Sequence, residues 1–373
     1  MAEAFDYQGS SEIFVSHVNS VKSNHSSLAP RDICLAGAYC VLFVLGVTGN
    51  TVLLLAIALS RKLQTRTSFL IINLSVSDLL VSTLQPIQVS VLLRRINLPL
   101  HDVICQLTAA LDITAIGSSV ITIMLIAFNR CVLIIKPLQT FDRIFSARHL
   151  VAMVIFSWLY PTLVFIVPQL AGHGRLGYDA RTRLCMCDFS HKNVNTFVHL
   201  VNSSSAIALG VLFVCHWLIL RRVKQSAAKS RSSSLTTERR YRSHTEHVIT
   251  KNLLCVVCCF LLCVTPFWGV FLAIPFLEGS ALHRALRVTP YVCLPLVLDS
   301  CLNPIIYGWK HPHFRVVIAC MLRGRWPDIP EPSRLLARFL ARNNGGIQTS
   351  HSNSVATGCE TQSKNVIIET NNK

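Results

Sequence analysis

Four ionisable residues, Asp78, Asp112, Arg130 and Asp299, lie within long apolar stretches of this sequence. Placing such a side chain at the centre of an apolar layer costs about 3 kcal/mol or more, so each one needs a partner or a function. Groups of this kind anchor ligands, bind cations, relay protons or link helices. The sequence contains no Gly-x-Ser-x-Gly or His-Glu-x-x-His motif, so it predicts no hydrolytic enzyme.

The elements that carry these residues are predicted to be membrane helices. The chain of 373 residues is 51% hydrophobic and 14% charged, whereas soluble domains are about 25% charged. Its apolar residues fall into blocks of about 20 or more, enough to cross a hydrocarbon layer of about 30 Å. We predict an all-α membrane protein, a seven-transmembrane helix bundle with a short amphipathic eighth helix. The predicted spans are 33–59, 68–93, 103–136, 149–170, 195–221, 248–275 and 288–309.

Charge and a glycosylation sequon predict the orientation of the bundle. Lys and Arg are concentrated after the first, third and fifth spans, which places those loops in the cytoplasm. Asn24-His25-Ser26 is a sequon in the polar leader, so Asn24 is a predicted glycosylation site on an external N-terminus. The leader lacks the pattern of a cleavable signal peptide, so the first span is expected to direct insertion. The predicted regions are an extracellular N-terminus (1–32), a seven-span domain with its amphipathic helix (33–322) and a disordered cytoplasmic tail (323–373).

Two other readings of the composition are rejected. The net charge of +17 lies largely beside the apolar blocks, so nucleic acid is not an expected partner, whereas membrane lipid is. Most of the 15 cysteines lie within apolar blocks without the His or acidic neighbours of a metal site, so no metal site is expected from them. Cys320, near the end of the amphipathic helix, is a predicted acylation site.

Five landmarks resemble those of rhodopsin-like G-protein-coupled receptors. They are Gly49-Asn50, the stretch from Asn73 to Asp78, Trp158, Pro266 and the stretch Asn303-Pro304-Ile305-Ile306-Tyr307. Arg130 also follows Cys105 by 25 residues, as the arginine of that family does. The resemblance covers about residues 33–322.

Two shorter stretches narrow the resemblance within that family. Residues 126–146, IAFNRCVLIIKPLQTFDRIFS, resemble melatonin receptors and the invertebrate receptors moody and trapped-in-endoderm. Residues 62–80, KLQTRTSFLIINLSVSDLL, and the loop Cys185-Met186-Cys187 resemble the medium-chain fatty-acid receptor.

The resemblance implies a plasma-membrane receptor that binds an extracellular ligand and activates a heterotrimeric G protein, with arrestin and a receptor kinase as further partners. A transporter with an intramembrane proton or cation relay is the alternative, although the repeated halves usual in transporters are not visible. A retinal pigment would need a lysine in the seventh span, and residues 288–308 contain none.

The resemblance also implies an allosteric sodium pocket, and no other cofactor or metal is expected. Oxygen ligands suit a hard cation, and a buried carboxylate needs a cation, a proton or a partner. Asp299 adds a second acid, and two neighbouring carboxylates share one proton when no cation is bound. The implied pocket comprises Asp78, Ser119, Asp299, Ser300 and Asn303.

Arg130 is the residue that the resemblance assigns to G-protein coupling. Asn129 replaces the usual acid before it and Cys131 the usual tyrosine after it, so we expect Glu246 on the sixth span to pair with Arg130 at rest. Tyr307 would support the active state. The expected switch residues are Asn129, Arg130, Cys131, His216, Glu246, Asn303, Pro304 and Tyr307, with His216 standing where the family usually has tyrosine.

At the outer end, the resemblance implies a disulfide from Cys105 to Cys187. Cys185 is then left to pair with Cys34 or to remain a free thiol. Asp112 lies 18 residues before Arg130, where amine receptors carry the carboxylate that binds ammonium, and Val264 replaces a usual tryptophan. Asp112 and Val264 are therefore the candidate ligand residues, with an amine, a lipid or fatty acid, and a peptide all open as ligands. Several arginines at the outer rim favour an anionic or lipid ligand, and the alternative role for Asp112 is an internal pair with a basic residue such as Arg94.

Overall fold

The computed structural model describes residues 30–93, 101–231 and 257–344. Within these residues, seven helices are long and apolar enough to cross a membrane. We label them α1 (Pro30–Leu59), α2 (Arg66–Leu92), α3 (His101–Ile135), α4 (Ala147–Leu170), α5 (Val194–Arg231), α6 (Val257–Phe276) and α7 (Gly279–Lys310). The predicted seven-helix bundle is therefore confirmed.

Shorter elements connect and flank the seven helices. A short helix, Leu138–Ile144, follows α3, and a hairpin of β1 (Leu176–Asp179) and β2 (Leu184–Cys187) follows α4. The amphipathic helix predicted after the seventh span is α8 (Pro312–Leu322), and a further helix, α9 (Arg334–Asn344), follows it. We call the end of the bundle that bears the hairpin the outer end, and the end that bears α8 the inner end.

The prediction of a disordered tail from residue 323 onward was wrong for the residues up to 344. Residues 326–344 were assigned to a disordered tail, but Trp326–Asp328 form a 3₁₀ turn and Arg334–Asn344 form α9. Ile329 and Leu336 are almost fully buried in the same core cluster as Phe314 of α8. The apolar residues of α9 recur at helical spacing, a signal that was present in the sequence but was not used.

The seventh helix is longer than its predicted span, which began at residue 288. It starts at Gly279, where a positive φ of 53° suits glycine, and includes polar residues that a search for apolar blocks passes over. Pro304 inside this helix lacks an N–H, so the carbonyl of Ser300 has no helical donor. Asn50 of α1 donates to that carbonyl at 3.0 Å, which links α1 to α7.

Small residues and polar side chains bring α2, α3 and α4 together. Asn73 of α2 donates to Thr122 of α3 at 2.7 Å and to Ser157 of α4 at 3.0 Å. Trp158 of α4 donates its ring N–H to the Asn73 carbonyl oxygen at 2.9 Å. A Cβ at Gly117 would lie 2.6 Å from Pro161, so only glycine allows α3 this close to α4. The landmarks Asn73 and Trp158 therefore act together in packing.

Candidate functional site: a ligand cavity and an arginine switch

A cavity of about 160 Å³ opens at the outer end of the bundle beneath the β1–β2 hairpin. Its walls come from α1 to α7 and from both strands, and most of its lining is apolar. Phe267 and Phe271 of α6 stack with ring centroids 4.2 Å apart on one side. Both candidate ligand residues, Asp112 and Val264, line this cavity.

Asp112 is the one acidic side chain among the described residues that line the cavity. Gln88 approaches its Oδ2 at 3.5 Å, whereas its buried Oδ1 has no hydrogen-bond partner among the described residues. No Lys or Arg is among the described residues that line the cavity. A buried carboxylate oxygen without a partner is costly, so the cavity suits a cation or a hydrogen-bond donor at this point.

The rest of the polar lining is neutral. Tyr160 of α4 donates to Ser204 of α5 at 3.2 Å, across the cavity from Asp112 and Gln88 on α3 and α2. Val264 lies at the base of the cavity, at the position where the family usually has a tryptophan. Phe260 is buried one helical turn below it. The arrangement places one acidic group in an otherwise apolar chamber with hydroxyl groups on its far side.

The disulfide prediction for the outer end was wrong. Cys105 is bonded to Cys185, and Cys187 and the exposed Cys34 are free thiols. Gln88 fixes β2 at Cys185, accepting from its N–H and donating to its carbonyl oxygen, both at 2.9 Å. Cys187 lies two residues further along the strand, about 7 Å away, and packs with Phe189 in an apolar cluster.

Gln88 was missed by the sequence reasoning, although a glutamine within an apolar span was a visible signal. It holds the strand that contains the disulfide, and it also approaches Asp112. The thiol of Cys187 lines the cavity, and burial raises its pKa above the ordinary value for cysteine.

An ion pair fastens the hairpin to the first helix. Arg183 donates to both carboxylate oxygens of Asp32, at 2.7 and 2.8 Å. The guanidinium of Arg183 is therefore engaged with a carboxylate of α1 and is not offered to an anionic ligand. The hydrogen bonds to Asp32 raise the pKa of Arg183.

The predicted sodium-pocket residues lie together in the middle of the bundle. Ser119 donates to Asp78 Oδ1 at 2.9 Å, and Asn303 donates to Asp78 Oδ2 at 2.9 Å. Asp299 and Ser300 are buried on the facing turn of α7, and Asp299 interacts electrostatically with Asp78. Ser77, which the sequence reasoning did not include, lies 2.9 Å from the Ser119 hydroxyl.

The chemistry of this group of residues fits a hard cation. Its members offer two carboxylates together with hydroxyl and amide oxygens, the donor types that a sodium ion takes. Two buried carboxylates without a countercharge would be strongly unfavourable, and a bound cation or a shared proton removes that cost. Asp78, Ser119, Asn303, Ser300 and Asp299 would hold the ion, which would supply positive charge between α2, α3 and α7.

Arg130 lies at the inner end of α3, partly buried beside Tyr307, with which it interacts electrostatically. Its Nε has no hydrogen-bond partner among the described residues. Asn129, which replaces the usual acid, is fully buried and accepts a hydrogen bond from Thr67 of α2 at 2.9 Å. The expected partner Glu246 and the sequon residue Asn24 lie outside the described residues, so both assignments stay predictions.

His216 and Tyr307 line a second cavity of about 20 Å³ near Arg130. This volume is sufficient for one water molecule, which needs about 10–15 Å³. His216 Nδ1 lies 2.8 Å from the carbonyl oxygen of Leu212, which assigns the ring proton to Nδ1 and leaves Nε2 as an acceptor. Cys131 is buried and Pro304 interrupts α7 one turn above Tyr307.

His311, which sequence reasoning missed, forms the junction between α7 and α8 beside Arg130. Its Nδ1 is buried and has no hydrogen-bond partner within the described part of the chain. Burial, together with the positive charges of Arg130 and His313, lowers the pKa of His311 to about 4. His311 is therefore neutral near pH 7.

The predicted acylation site is not accessible in this arrangement. Cys320 is 1% exposed and packs with Phe314, Val317 and Ile329. Its thiol donates to the carbonyl oxygen of Asp328 at 3.7 Å. The apolar stripe of α8 turns Cys320 toward the protein, and residues after α8 cover it, so acylation would require this segment to move away.

These features define a seven-helix membrane receptor. The sequence profile of the family described as 7 transmembrane receptor (rhodopsin family) matches residues 49–307, more than half of the chain. The chain belongs to this family. The family resemblance drawn from the sequence motifs is confirmed.

The chain is also similar to individual members of this family. It is 28% identical over 286 residues to "Rhodopsin, GQ-coupled" of Mizuhopecten yessoensis, covering 73% of this chain and 56% of that protein. It is 26% identical over 287 residues to melatonin receptor type 1C of Xenopus laevis, covering 73% of this chain and 63% of the relative. The chain thus spans less than two thirds of the length of both relatives.

A solved structure supports the fold. The crystal structure of squid rhodopsin matches with a TM-score of 0.66 at 20% identity, covering 88% of this chain and 94% of that one. At this identity, the likeness shows the fold alone. The similarity to a melatonin receptor supports the resemblance to melatonin receptors that residues 126–146 indicated.

Proposed function

We propose that this chain is a plasma-membrane receptor that binds an extracellular ligand in the outer cavity and activates a heterotrimeric G protein at the inner end. The observation that carries the proposal is the placement of Asp112 and Arg130 on one helix. Asp112 projects an unpartnered oxygen into the cavity, and Arg130 stands 18 residues later, about 27 Å along α3. A ligand that moves α3 at the cavity would therefore also move Arg130 at the inner end of the same helix.

The ligand class that we propose has an apolar body with one cationic or hydrogen-bond-donating group. The apolar lining favours burial of hydrocarbon or aromatic surface, and Asp112 Oδ1 favours a donor. A fatty acid is disfavoured, since its carboxylate would enter a chamber whose described lining has an acid but no Lys or Arg. An amine or a neutral donor of the melatonin type suits the cavity better.

Light sensing is not proposed, although opsins are among the relatives. Helix α7 has no lysine between residues 288 and 308 for a retinal Schiff base, and its one lysine, Lys310, ends the helix. A transporter is the alternative function for the buried acids Asp78 and Asp299. Membership of a receptor family and the cluster of Ser119 and Asn303 around Asp78 support a cation-controlled receptor instead.

The orientation and the remaining partners belong to the same proposal. Basic residues flank the inner ends of α1, α3 and α5, which supports an inner end in the cytoplasm and an extracellular N-terminus. Ser and Thr residues of the tail beyond residue 344, and of the loop before α6, would take up charge on phosphorylation by a receptor kinase. Arrestin would then bind the phosphorylated tail.

A ligand screen with one substitution tests the ligand assignment. Cells expressing the receptor and a sensor of G-protein dissociation would be exposed to amine, melatonin-type and fatty-acid panels, with Asp112→Asn compared with wild type. We expect a response to a donor-bearing compound that Asp112→Asn weakens at least tenfold, since it removes a charge-assisted hydrogen bond of about 1.5–3 kcal/mol. Asp102→Asn, an exposed site on the same helix, should respond as wild type. A fatty-acid response unaffected by Asp112→Asn would refute the assignment.

A further inference from the structure

The segment after α8 folds back and pairs with the loop that ends α1. Ser60 Oγ donates to Pro330 O at 2.7 Å, and Arg61 N donates to Glu331 O at 2.8 Å. Ser333 N donates to the carbonyl oxygen of Leu59, also at 2.8 Å. Because Leu59 is the last residue of a membrane-length helix, these bonds fix the start of α9 at the level where α1 leaves the apolar layer.

One face of α9 packs against the protein core, and another face is exposed. The Ser333 hydroxyl caps the helix by accepting from Leu336 N at 3.3 Å, and Leu336 is 3% exposed in the core cluster. Leu335 and Phe339, one turn apart, are 70% and 57% exposed. Two large apolar side chains thus face outward at the boundary of the membrane.

A strip of arginines borders the exposed apolar pair. Arg334, Arg338 and Arg342 follow one another at intervals of four residues, so they lie along one face beside Leu335 and Phe339. The helix from Arg334 to Asn344 contains no Asp or Glu. An apolar stripe edged by cationic side chains is the pattern of a helix that lies in the surface of a membrane.

We propose that α9 is a second membrane-binding helix whose partner is the anionic phospholipid of the cytoplasmic leaflet. Leu335 and Phe339 enter the acyl boundary, and the three arginines bind the phosphate and carboxylate groups of the lipid heads. The assignment to the cytoplasmic leaflet rests on the proposed function and its orientation. The assignment of an anionic lipid rests only on the side chains of α9. Two exposed apolar side chains are too few for a stable protein interface, which needs about 800 Å² from each partner.

Lipid binding by α9 has a consequence for its neighbours. Ile329 and Leu336, which precede and begin α9, pack against the side of α8 that contains Cys320. A helix anchored to lipid would keep this cover in place and would hold the loop at Ser60 and Arg61. The inner loop after α1 would thereby be fixed to the membrane surface through the tail.

Hydrogen–deuterium exchange on the full-length receptor tests this proposal. The receptor would be reconstituted in nanodiscs of phosphatidylcholine alone or with phosphatidylserine, and exchange followed by mass spectrometry in peptides covering 334–344. We expect exchange in this helix to be about tenfold slower with phosphatidylserine, and high salt to remove the difference. Both membranes are symmetric, so the result depends neither on the orientation nor on coupling to a G protein.

Matched variants separate charge from folding. Changing Arg334, Arg338 and Arg342 together to Gln should abolish the phosphatidylserine effect, and changing them to Lys should retain it. Neutralising Arg221, Arg222 and Lys224 on α5 removes the same charge elsewhere and should leave it intact. Exchange in the peptides that contain the Arg61 and Ser333 N–H groups reports whether the segment after α8 still binds the loop after α1. Equal exchange in both membranes, or a phosphatidylserine effect that survives the Gln variant with docking intact, would overturn the proposal.

Discussion

Thr67 donates a hydrogen bond to Asn129 Oδ1 at 2.9 Å, so the residue before Arg130 is fixed to α2 by a neutral contact. In the family pattern an acid stands at this position and restrains the arginine. Here the amide of Asn129 faces the Thr67 hydroxyl, and its Nδ2 has no partner within the described ranges. The restraint on Arg130 must therefore come from another element or be weak.

Asn129→Asp is expected to lower basal signalling by about fivefold or more, since a typical coupling of 1–3 kcal/mol would favour the resting state. The new carboxylate would remain within reach of the Thr67 hydroxyl and would add an acid beside Arg130. Basal G-protein dissociation at equal surface expression measures the effect. Asn129→Ala, which adds no charge, serves as the control. Equal or higher basal signalling in Asn129→Asp would show that the position does not restrain Arg130.

Sodium is expected to stabilise the wild-type receptor and not Asp78→Asn. The Asp78 carboxylate is the centre of the predicted site, and a ligand present at ten times its dissociation constant stabilises by about 1.4 kcal/mol. Thermal unfolding of the purified receptor in sodium chloride and in choline chloride of equal concentration measures the difference. Equal stabilisation of wild type and Asp78→Asn would remove the sodium assignment, and absence of stabilisation in both would do the same.

Breaking the Arg183–Asp32 pair is expected to open the hairpin above the cavity. Arg183→Gln removes the two hydrogen bonds to the buried Asp32 carboxylate, which keeps its longer contact of 3.8 Å with Arg31. Losing hydrogen bonds to a charged group costs about 1.5–3 kcal/mol, which corresponds to about tenfold or more in an opening equilibrium. The free thiol of Cys187, which ends β2 and lines the cavity, should then react faster with a maleimide, as followed by peptide mass spectrometry. Arg183→Gln combined with Asp32→Asn should recover part of the stability. Unchanged labelling of Cys187 would show that the pair does not hold the hairpin.

His311 is expected to destabilise the folded receptor as the pH falls. Its pKa is about 4 in the fold against 6.5 for a free side chain, so protonation favours the unfolded state. The loss is absent above about pH 6.5, grows by about 1.4 kcal/mol per pH unit below it, and is complete near pH 4. Thermal unfolding at pH 7 and pH 5 should show a smaller decrease for His311→Gln than for wild type. An equal decrease would mean that another group accounts for the acid sensitivity.

The seven helices were predictable because each is an apolar block of membrane length. The functional side chains on these helices were predictable only where a family motif contains them, as with Asp78, Asn303 and Arg130. The start of α7 was less predictable, since polar residues such as Arg284 and Arg287 continue the helix outward from its apolar part. Hydrophobicity marks where a helix is buried in the apolar layer, not where it stops.

Contacts that depend on the exact placement of distant segments could not be read from the sequence. The sequence contains Cys185 and Cys187 two residues apart, and it does not show the hydrogen bonds of Gln88 and the pairing with β1 that position Cys185 at Cys105. The same holds for Ser60, whose bond to Pro330 spans 270 residues. The segment after α8 helps to bury Cys320, so the sequence reasoning proposed acylation at a thiol that the structure covers.

The most direct test of the central claim measures nucleotide exchange by purified heterotrimeric G proteins of each main class on the receptor in nanodiscs. We predict exchange above that with empty nanodiscs for at least one class, an increase with Glu246→Ala because Arg130 loses its expected partner, and a return to the empty-nanodisc rate with Arg130→Ala. Exchange at the empty-nanodisc rate for every class, with both wild type and Glu246→Ala, or a rate unaffected by Arg130→Ala, would contradict a G-protein-activating receptor that works through Arg130.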